Sequence, residues 1–403
     1  MSKISTQSAA RVSPPSPAEV TRPRAVSVAA PKASASWGER LSGLARELAA
    51  LRTGRADGGA AHTPVAFKQG ILVDAEPDRR WAHADPRFDQ VVHVFAQEWF
   101  GIRSAAAYLP GRKLAVTIDR PLWPVEKSAV LAAFREDRPS HVVVHTYGEN
   151  LGVIARLLRR KLGARVFGVW HGSSAQFHLD HEFRAFGSML DLRHDGILDG
   201  LACVKPGMHL LSDQIHRNVL LNYPPKLPAP TAGRDLRGAA LVPLPVDWRK
   251  NFHTNVYAAA AEPRCRTIYV TSRSTRLRQV PLPRQVVELR HLDRPSLFEI
   301  LRTIDISLNA TLSECQPMVA LESLAFRVPC LTGPLALGEL DRHPYQRLAQ
   351  VAGVDTLTEL RAAVSRLLDL RERSVEELSQ MMDDYERLLL AEGADRLGEF
   401  LGL

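Results

Sequence analysis

Short apolar runs alternate with segments of helical periodicity along most of this chain, and that alternation leaves few folds open to it. Residues 91–95, 114–118, 141–145 and 166–170 are apolar almost throughout rather than at every second position. Strands that read this way are covered on both faces, as in a parallel sheet. Between them lie helical patterns at 101–109, 127–134 and 150–162, the first stopped by Pro110-Gly111 and the last by Gly163. Residues 201–204 and 219–221 read as two further strands. The stiff run at 224–230, PPKLPAP, cannot join a sheet ladder and suits a hinge. Beyond it the alternation restarts, with strands at 239–244, 267–271, 286–289, 305–308 and 328–332 and helices near 255–261, 296–303 and 318–326. Two such series predict an α/β protein with two successive Rossmann-like domains, at 37–230 and 231–354. Residues 355–403 read as helices, with apolar side chains at Leu360, Val364, Leu367 and Leu368 and again at Leu378, Met382, Tyr385, Leu388 and Leu389.

Composition narrows the class. The chain has 403 residues, 45% hydrophobic and 24% charged, the balance of a globular protein rather than a disordered, collagen-like or disulfide-scaffold chain. No run approaches the roughly 18 apolar residues of a membrane-spanning helix. Residues 1–36 carry Pro14, Pro15, Pro17, Pro23 and Pro31 and few bulky apolar side chains, which predicts a disordered tail rather than a secretory signal. A helical stripe follows at Trp37, Leu41, Leu44, Leu48 and Leu51. Cys203, Cys265, Cys315 and Cys330 form no CxxC pair, so they read as small core or loop residues in a reducing, cytoplasmic protein. The net charge is +8; residues 1–36 hold +4 and 355–403 hold −6, leaving +10 between them. Such an excess suits anionic ligands or surfaces, phosphates and acidic lipids included, without singling out DNA.

The segment 305–333, DISLNATLSECQPMVALESLAFRVPCLTG, carries the most chemistry. A buried strand runs into a loop, a helix begins at Pro317, and a second strand follows Arg327. Proline is tolerated in the first turn of a helix, and the free amides of Met318 and its neighbours make an anion site there. Glu314 lies just before the helix and Glu322 more than one turn into it. One carboxylate would face the group beyond the phosphates, and the other could accept hydrogen bonds from a ribose diol. As purely structural residues, they would be a helix-terminus carboxylate and a surface side chain.

This segment resembles the E-x7-E signature of retaining, nucleotide-sugar-dependent glycosyltransferases of the GT-B fold (glycosyl transferases group 1, family 4-like). Members often read SEGFPLVALEALA-GVPVI where this chain reads SECQPMVALESLAFRVPCL. The resemblance covers about the last 170 residues and extends more loosely upstream. It implies an acceptor domain at 37–230 and a donor domain at 231–354, facing a central cleft. Glu322 would hold the nucleotide ribose, and Glu314 would contact sugar hydroxyls near the reacting carbon. Amides around Gln316, Met318 and Val319 would receive the diphosphate or the sugar, and Lys250 and Arg249 would neutralise the departing diphosphate. The family's Gly-Arg after the first strand of this domain is replaced by Pro243-Leu244-Pro245, so one cation must come from elsewhere, with Arg273, Arg276 and Arg278 as candidates. His171, in VFGVWHGSS, is similar to the histidine that faces the donor sugar, and His145 is an acceptor-side candidate. The family's Gly-rich first loop appears as AQEWFGIR, where Arg103 could replace the lost backbone contact.

The expected activity is transfer of a sugar, with retention, from a nucleoside-diphosphate sugar to a hydroxyl of a cell-envelope glycan or lipid-linked saccharide, as in polysaccharide biosynthesis. Helix 150–162 combines an apolar face with Arg156, Arg159, Arg160 and Lys161, so either a solvated basic face or peripheral contact with an anionic inner-membrane surface fits it. Alternatives are a glycosyltransferase acting on hydroxylated DNA bases, a catalytically silent GT-B-like binding subunit, and a nucleotide-sugar epimerase. No cofactor is expected beyond the co-substrate. His178-x-x-His181 with Asp180 lacks a third ligand at convincing spacing, so no metal is expected either. Neither a G-x-x-x-x-G-K-[ST] loop nor G-x-S-x-G occurs.

Overall fold

The computed structural model describes residues 71–73, 79–228 and 236–403, apart from positions 273, 275, 276, 278, 280, 281, 290 and 291. All of these fall within one compact unit, residues 50–403. The expected tail at 1–36, the stripe at 37–51 and Arg273, Arg276 and Arg278 lie outside the described residues.

The first sheet contains β1 (Ile71–Val73), β2 (Val91–Ala96), β3 (Arg112–Val116), β4 (His141–His145), β5 (Arg165–Trp170) and β6 (Gly200–Cys203), in the order β1-β3-β2-β4-β5-β6. Five strands run parallel, and β1 pairs antiparallel with β3 at the edge. The crossovers are α1 (Phe100–Tyr108), α2 (Pro124–Asp137), α3 (Glu149–Leu162) and α4 (Asp180–His194). Helix α3 buries Leu151, Ile154, Ala155 and Leu158, and Gly163 ends it in the left-handed conformation at φ 63°. Three basic residues in its last turn complement the helix dipole; of these Arg159 pairs with Asp199 at 3.0 Å, while Arg160 and Lys161 are exposed.

The second sheet holds β7 (Ala239–Val242), β8 (Thr267–Val270), β9 (Gln285–Glu288), β10 (Ile306–Asn309) and β11 (Cys330–Thr332), all parallel, in the order β11-β10-β7-β8-β9. Its helices are α5 (Phe252–Ala261), α6 (Arg294–Leu301) and α7 (Met318–Ala325), followed by α8 (Pro344–Ala349), α9 (Leu357–Arg373) and α10 (Val375–Leu401). Each lobe has its own core: Val94, Val142, Ile154, Leu158 and Trp170 in the first, Val242, Val256, Ile268, Leu308 and Leu367 in the second.

Helix α10 spans both lobes. Leu378, Met382, Tyr385 and Leu389 recur at spacings of four, three and four and pack with Leu321 and Leu324 of α7. Further along, Leu397, Phe400 and Leu401 pack with Phe88, Val91 and Phe167 of the first lobe. At about 1.5 Å per residue the helix is long enough to fix the lobes together.

Four elements differ from the sequence reading, one of them the short helix α8, which starts at Pro344 and had no expected counterpart. Residues 219–221 form no strand: Leu220 donates its amide to the Cys203 carbonyl at 3.0 Å, and Asn222 then turns to Gln316 of the other lobe at 2.6 Å. The segment leaves the sheet after one bond and is buried between lobes. Helix α4 was not expected, although Phe186, Met189 and Leu192, its buried residues, recur every three residues. Strand β1 was not expected either; three residues give too short a pattern to read. All four cysteines are buried free thiols, and no described helix is long and apolar enough to cross a membrane.

Candidate active site

The loop between β10 and α7 is placed by two asparagines. Asn255 in α5 donates Nδ2 to the Ala310 carbonyl at 2.9 Å and accepts the Ala310 amide at 3.0 Å, while Asn251 donates to the same carbonyl at 3.2 Å. Asn251, at the N-cap position of α5, holds φ 53°, a left-handed conformation that asparagine tolerates, and makes no side-chain capping bond. The loop after β7 is then laced to the loop after β10. Leu312 donates its amide to the Arg249 carbonyl at 2.9 Å, and the Arg249 guanidinium donates to the Ser313 carbonyl at 2.9 Å. Lys250 forms an ion pair with Glu314, both side chains being less than one-fifth exposed.

The first lobe meets this loop from the opposite side. Lys205, two residues beyond β6, donates Nζ to the Glu314 carbonyl at 2.6 Å, and Ser173 Oγ lies 3.4 Å from Ser313 Oγ. The C-terminal ends of both parallel sheets therefore face one crevice, the position at which open α/β sheets bind ligands. Lys250 pairs with the Glu314 carboxylate while Lys205 and Arg249 donate to the main-chain carbonyls of Glu314 and Ser313, so three cations meet one carboxylate at this turn. Sequence reading missed Lys205; its only signal is a lysine just past the end of a parallel strand.

Gln316, Met318 and Val319 were expected to line the same turn. The structure puts Pro317 one position before the helix, as its N-cap, so the amides of Met318 and Val319 begin α7 ahead of any intrahelical acceptor. Gln316 is buried and serves the interlobe contact, its carbonyl oxygens accepting from the amide and side chain of Asn222 at 2.6 and 3.2 Å. Cys315 is buried, which pushes its thiol up to about 12 and makes it inert.

Glu322 takes a different place from the ribose-facing one expected for it. It is 4% exposed, and its Oε1 accepts from the Tyr108 hydroxyl of α1 at 2.6 Å, with Arg294 and Ser104 nearby. Its surroundings are protein, because α7 packs this face against α1. Burial raises its carboxyl from 4.5 to about 7, against the opposing pull of Tyr108 and Arg294. A carboxyl more basic in the folded state makes stability fall as pH rises from about 4.5 to 7. Glu322→Gln keeps an acceptor for Tyr108 and removes that slope. The variant's stability relative to the parent should improve by up to about 3 kcal/mol between pH 5 and pH 8, read from urea midpoints. Parallel pH curves for the two proteins would show the carboxyl does not titrate in this window.

His171 follows β5 and is half-buried at the crevice, where Gly172 allows a tight turn: a Cβ there would lie 2.8 Å from the Trp170 ring. Burial lowers the His171 imidazole to about 4. His145, the acceptor-side candidate, lies inside the first sheet. It is fully buried, hydrogen-bonded between His93 and His171. Arg103 sits in the first turn of α1 and donates to the Gln97 carbonyl at 3.4 Å, at the C-terminal edge of the first sheet. His178 bonds the Ala175 carbonyl at 2.8 Å, and its ring lies tilted at 60° to that of Trp248, with centroids 6.0 Å apart.

No protein-family profile matches the chain, and no curated protein matches it. Solved structures do. Sucrose-phosphate synthase from Thermosynechococcus elongatus is 14% identical, with 78% of this chain matched to 100% of that one at a TM-score of 0.50. The fold is GT-B. Trehalose-6-phosphate from E. coli bound with UDP-2-fluoro glucose is 13% identical over 76% of this chain and 98% of that one, at a TM-score of 0.43. The lipopolysaccharide outer core galactosyltransferase WaaB is 12% identical over 75% and 99%, at a TM-score of 0.41. At 14% identity the likeness to the sucrose-phosphate synthase is one of fold.

Proposed function

We propose that this GT-B protein is a retaining glycosyltransferase that moves a sugar from a nucleoside-diphosphate donor to a hydroxyl of a cell-envelope glycan or lipid-linked saccharide. One observation carries the reading: Lys205, Arg249 and Lys250 converge on residues 313–314 at the facing C-terminal edges of two parallel sheets. Departure of a diphosphate concentrates negative charge on the leaving oxygen, and fixed cations in a partly dry crevice stabilise that charge most where it develops. Lys250 and Arg249, with the amides of Met318 and Val319, would receive the diphosphate. As Lys250 turns to the phosphate, Glu314 is released to bind sugar hydroxyls, opposite His171 from the other lobe. The excess of +10 outside the two chain ends agrees with an anionic donor.

A thermal-shift panel of UDP-, GDP-, ADP- and CDP-sugars tests the donor. A ligand that binds only the folded state raises the melting temperature, and one nucleotide series should do so at sub-millimolar concentration. Transfer from that donor to a hydroxyl acceptor, with the anomeric configuration kept in the product, completes the test. No shift with any nucleotide sugar would defeat the proposal.

A catalytically silent GT-B-like binding subunit is the second reading, favoured by one observation: Glu322 is sealed against Tyr108 rather than open to a ribose. Donor hydrolysis by the purified protein, lost in Glu314→Ala, separates the two.

A further inference from the structure

Three histidines stand on neighbouring strands of the first sheet and form one hydrogen-bonded line. His93 lies in the middle of β2, His145 at the end of β4 and His171 directly after β5. His93 Nε2 is 2.8 Å from the Pro110 carbonyl oxygen, His93 Nδ1 is 2.9 Å from His145 Nε2, and His145 Nδ1 is 2.8 Å from His171 Nε2. His93 and His145 are 0% exposed, and only His171 reaches the crevice.

The carbonyl at the far end sets the direction of every bond in the line. A carbonyl oxygen only accepts, so His93 must carry its hydrogen on Nε2. A neutral imidazole has one N–H, so His93 Nδ1 is then a lone pair and accepts from His145 Nε2–H. By the same step His145 Nδ1 accepts from His171 Nε2–H. The opposite polarity would set the lone pair of His93 Nε2 against that of the Pro110 carbonyl, so it is excluded. His171 is left with a lone pair on Nδ1, the ring nitrogen turned away from His145, which has no hydrogen-bond partner among the described residues.

The line is neutral as well as directed. Desolvation holds all three rings below the ordinary imidazole range. The buried ammonium of Lys113, which donates to the Leu109 and Gly111 carbonyls, adds to this at His93 and His145. Backbone geometry at the junction is costly too. Thr146, directly after His145, holds φ 60°, a left-handed conformation rare for a β-branched residue, with its amide tied to the Val169 carbonyl at 2.7 Å. Strain of this kind costs about 1–3 kcal/mol and persists where the surroundings impose it.

We propose that His93 and His145 are positioning residues that lock His171 in its Nε2–H form, so that His171 Nδ1 offers the crevice an obligate acceptor for a hydroxyl hydrogen of the bound substrate. The identity of that substrate as a sugar or its acceptor rests on the glycosyltransferase reading; the lock itself does not. His171 thus accepts a hydrogen bond and orients a hydroxyl, and it is not charged near neutral pH.

Selective 15N-histidine labelling of the full chain and two-bond 15N–1H correlation spectra decide the point, because they assign the protonated nitrogen ring by ring. All three rings should show Nε2–H and no change between pH 6 and 8. A His171 ring that carries Nδ1–H, averages between forms or is protonated at pH 7 overturns the proposal. His93→Phe removes the link to Pro110, so His145 and then His171 should become mixtures of both forms, with kcat lowered about tenfold or more. An unchanged His171 spectrum in a folded His93→Phe protein also overturns it. Should that variant not fold, the wild-type spectrum still decides. Absence of any sugar transfer alongside an intact Nε2–H pattern would reject the glycosyltransferase reading and leave the lock standing.

Discussion

Lys250→Ala is expected to lower turnover by about 10²–10³-fold, the loss found when one fixed donor to a developing oxyanion is removed, and Glu314→Ala by about 10²-fold, through loss of the acceptor that holds the sugar hydroxyls in place. The two changes should differ in their effect on the diphosphate product. Lys250 and Glu314 neutralise each other in the ligand-free protein, both less than one-fifth exposed. A diphosphate must compete with Glu314 for the ammonium, so removing Lys250 weakens product binding, whereas removing Glu314 frees Lys250 and strengthens it. Both lower kcat, because the lysine is needed where leaving-group charge appears and the carboxylate where the sugar is held. Calorimetric titration with the nucleoside diphosphate and initial-rate measurements check the pair, with circular dichroism confirming that the fold persists. Near-parent rates in both variants would remove these residues from the chemistry. Weaker product binding in Glu314→Ala would show that the carboxylate does not compete with the diphosphate.

Much of this architecture was open to reading because buried parallel strands announce themselves. Runs such as His141-Val142-Val143-Val144-His145 are apolar and short, and helices of clear periodicity separate them. The 305–333 segment was legible for the same reason: strand, loop, proline and helix each have a local signature. Contacts made over long separations were not legible. Tyr108 and Glu322 are 214 positions apart, and nothing local tells a buried carboxyl bonded to a tyrosine from an open one. Lys205 reaches Glu314 across 109 positions, and a lone lysine after a strand carries no pattern. His93 sits inside an apolar run where a polar residue reads as an interruption; its meaning comes from strands that neighbour it only in the folded sheet. Residues 219–221 misled because a buried extended segment and a paired strand share one sequence signature.

Asp305→Ala should cost about 3–5 kcal/mol of stability, because it strips the partner from a buried cation and from three backbone amides at once. Asp305 leads into β10 and is 2% exposed. Its carboxylate accepts from the amides of Arg237, Gly238 and Ala239 at 3.0, 2.6 and 3.0 Å, which pins the start of β7 beside β10. Arg371 of α9, itself 6% exposed, donates to the Asp305 carbonyl at 2.9 Å and lies 3.6 Å from its carboxylate. Gly238 at φ 77° is what lets the chain turn its amides onto that carboxylate. All of this happens at the N-terminal edge of the second sheet, opposite the crevice, so the loss should appear in folding rather than in substrate affinity. Arg371→Met on the Asp305→Ala background removes the stranded charge and should recover part of the deficit, since an apolar replacement for a buried ion pair is often neutral or better. Urea unfolding of the two variants checks this. A single-variant loss below about 1 kcal/mol, or a double variant no more stable than the single, would show that the carboxylate does not organise this edge.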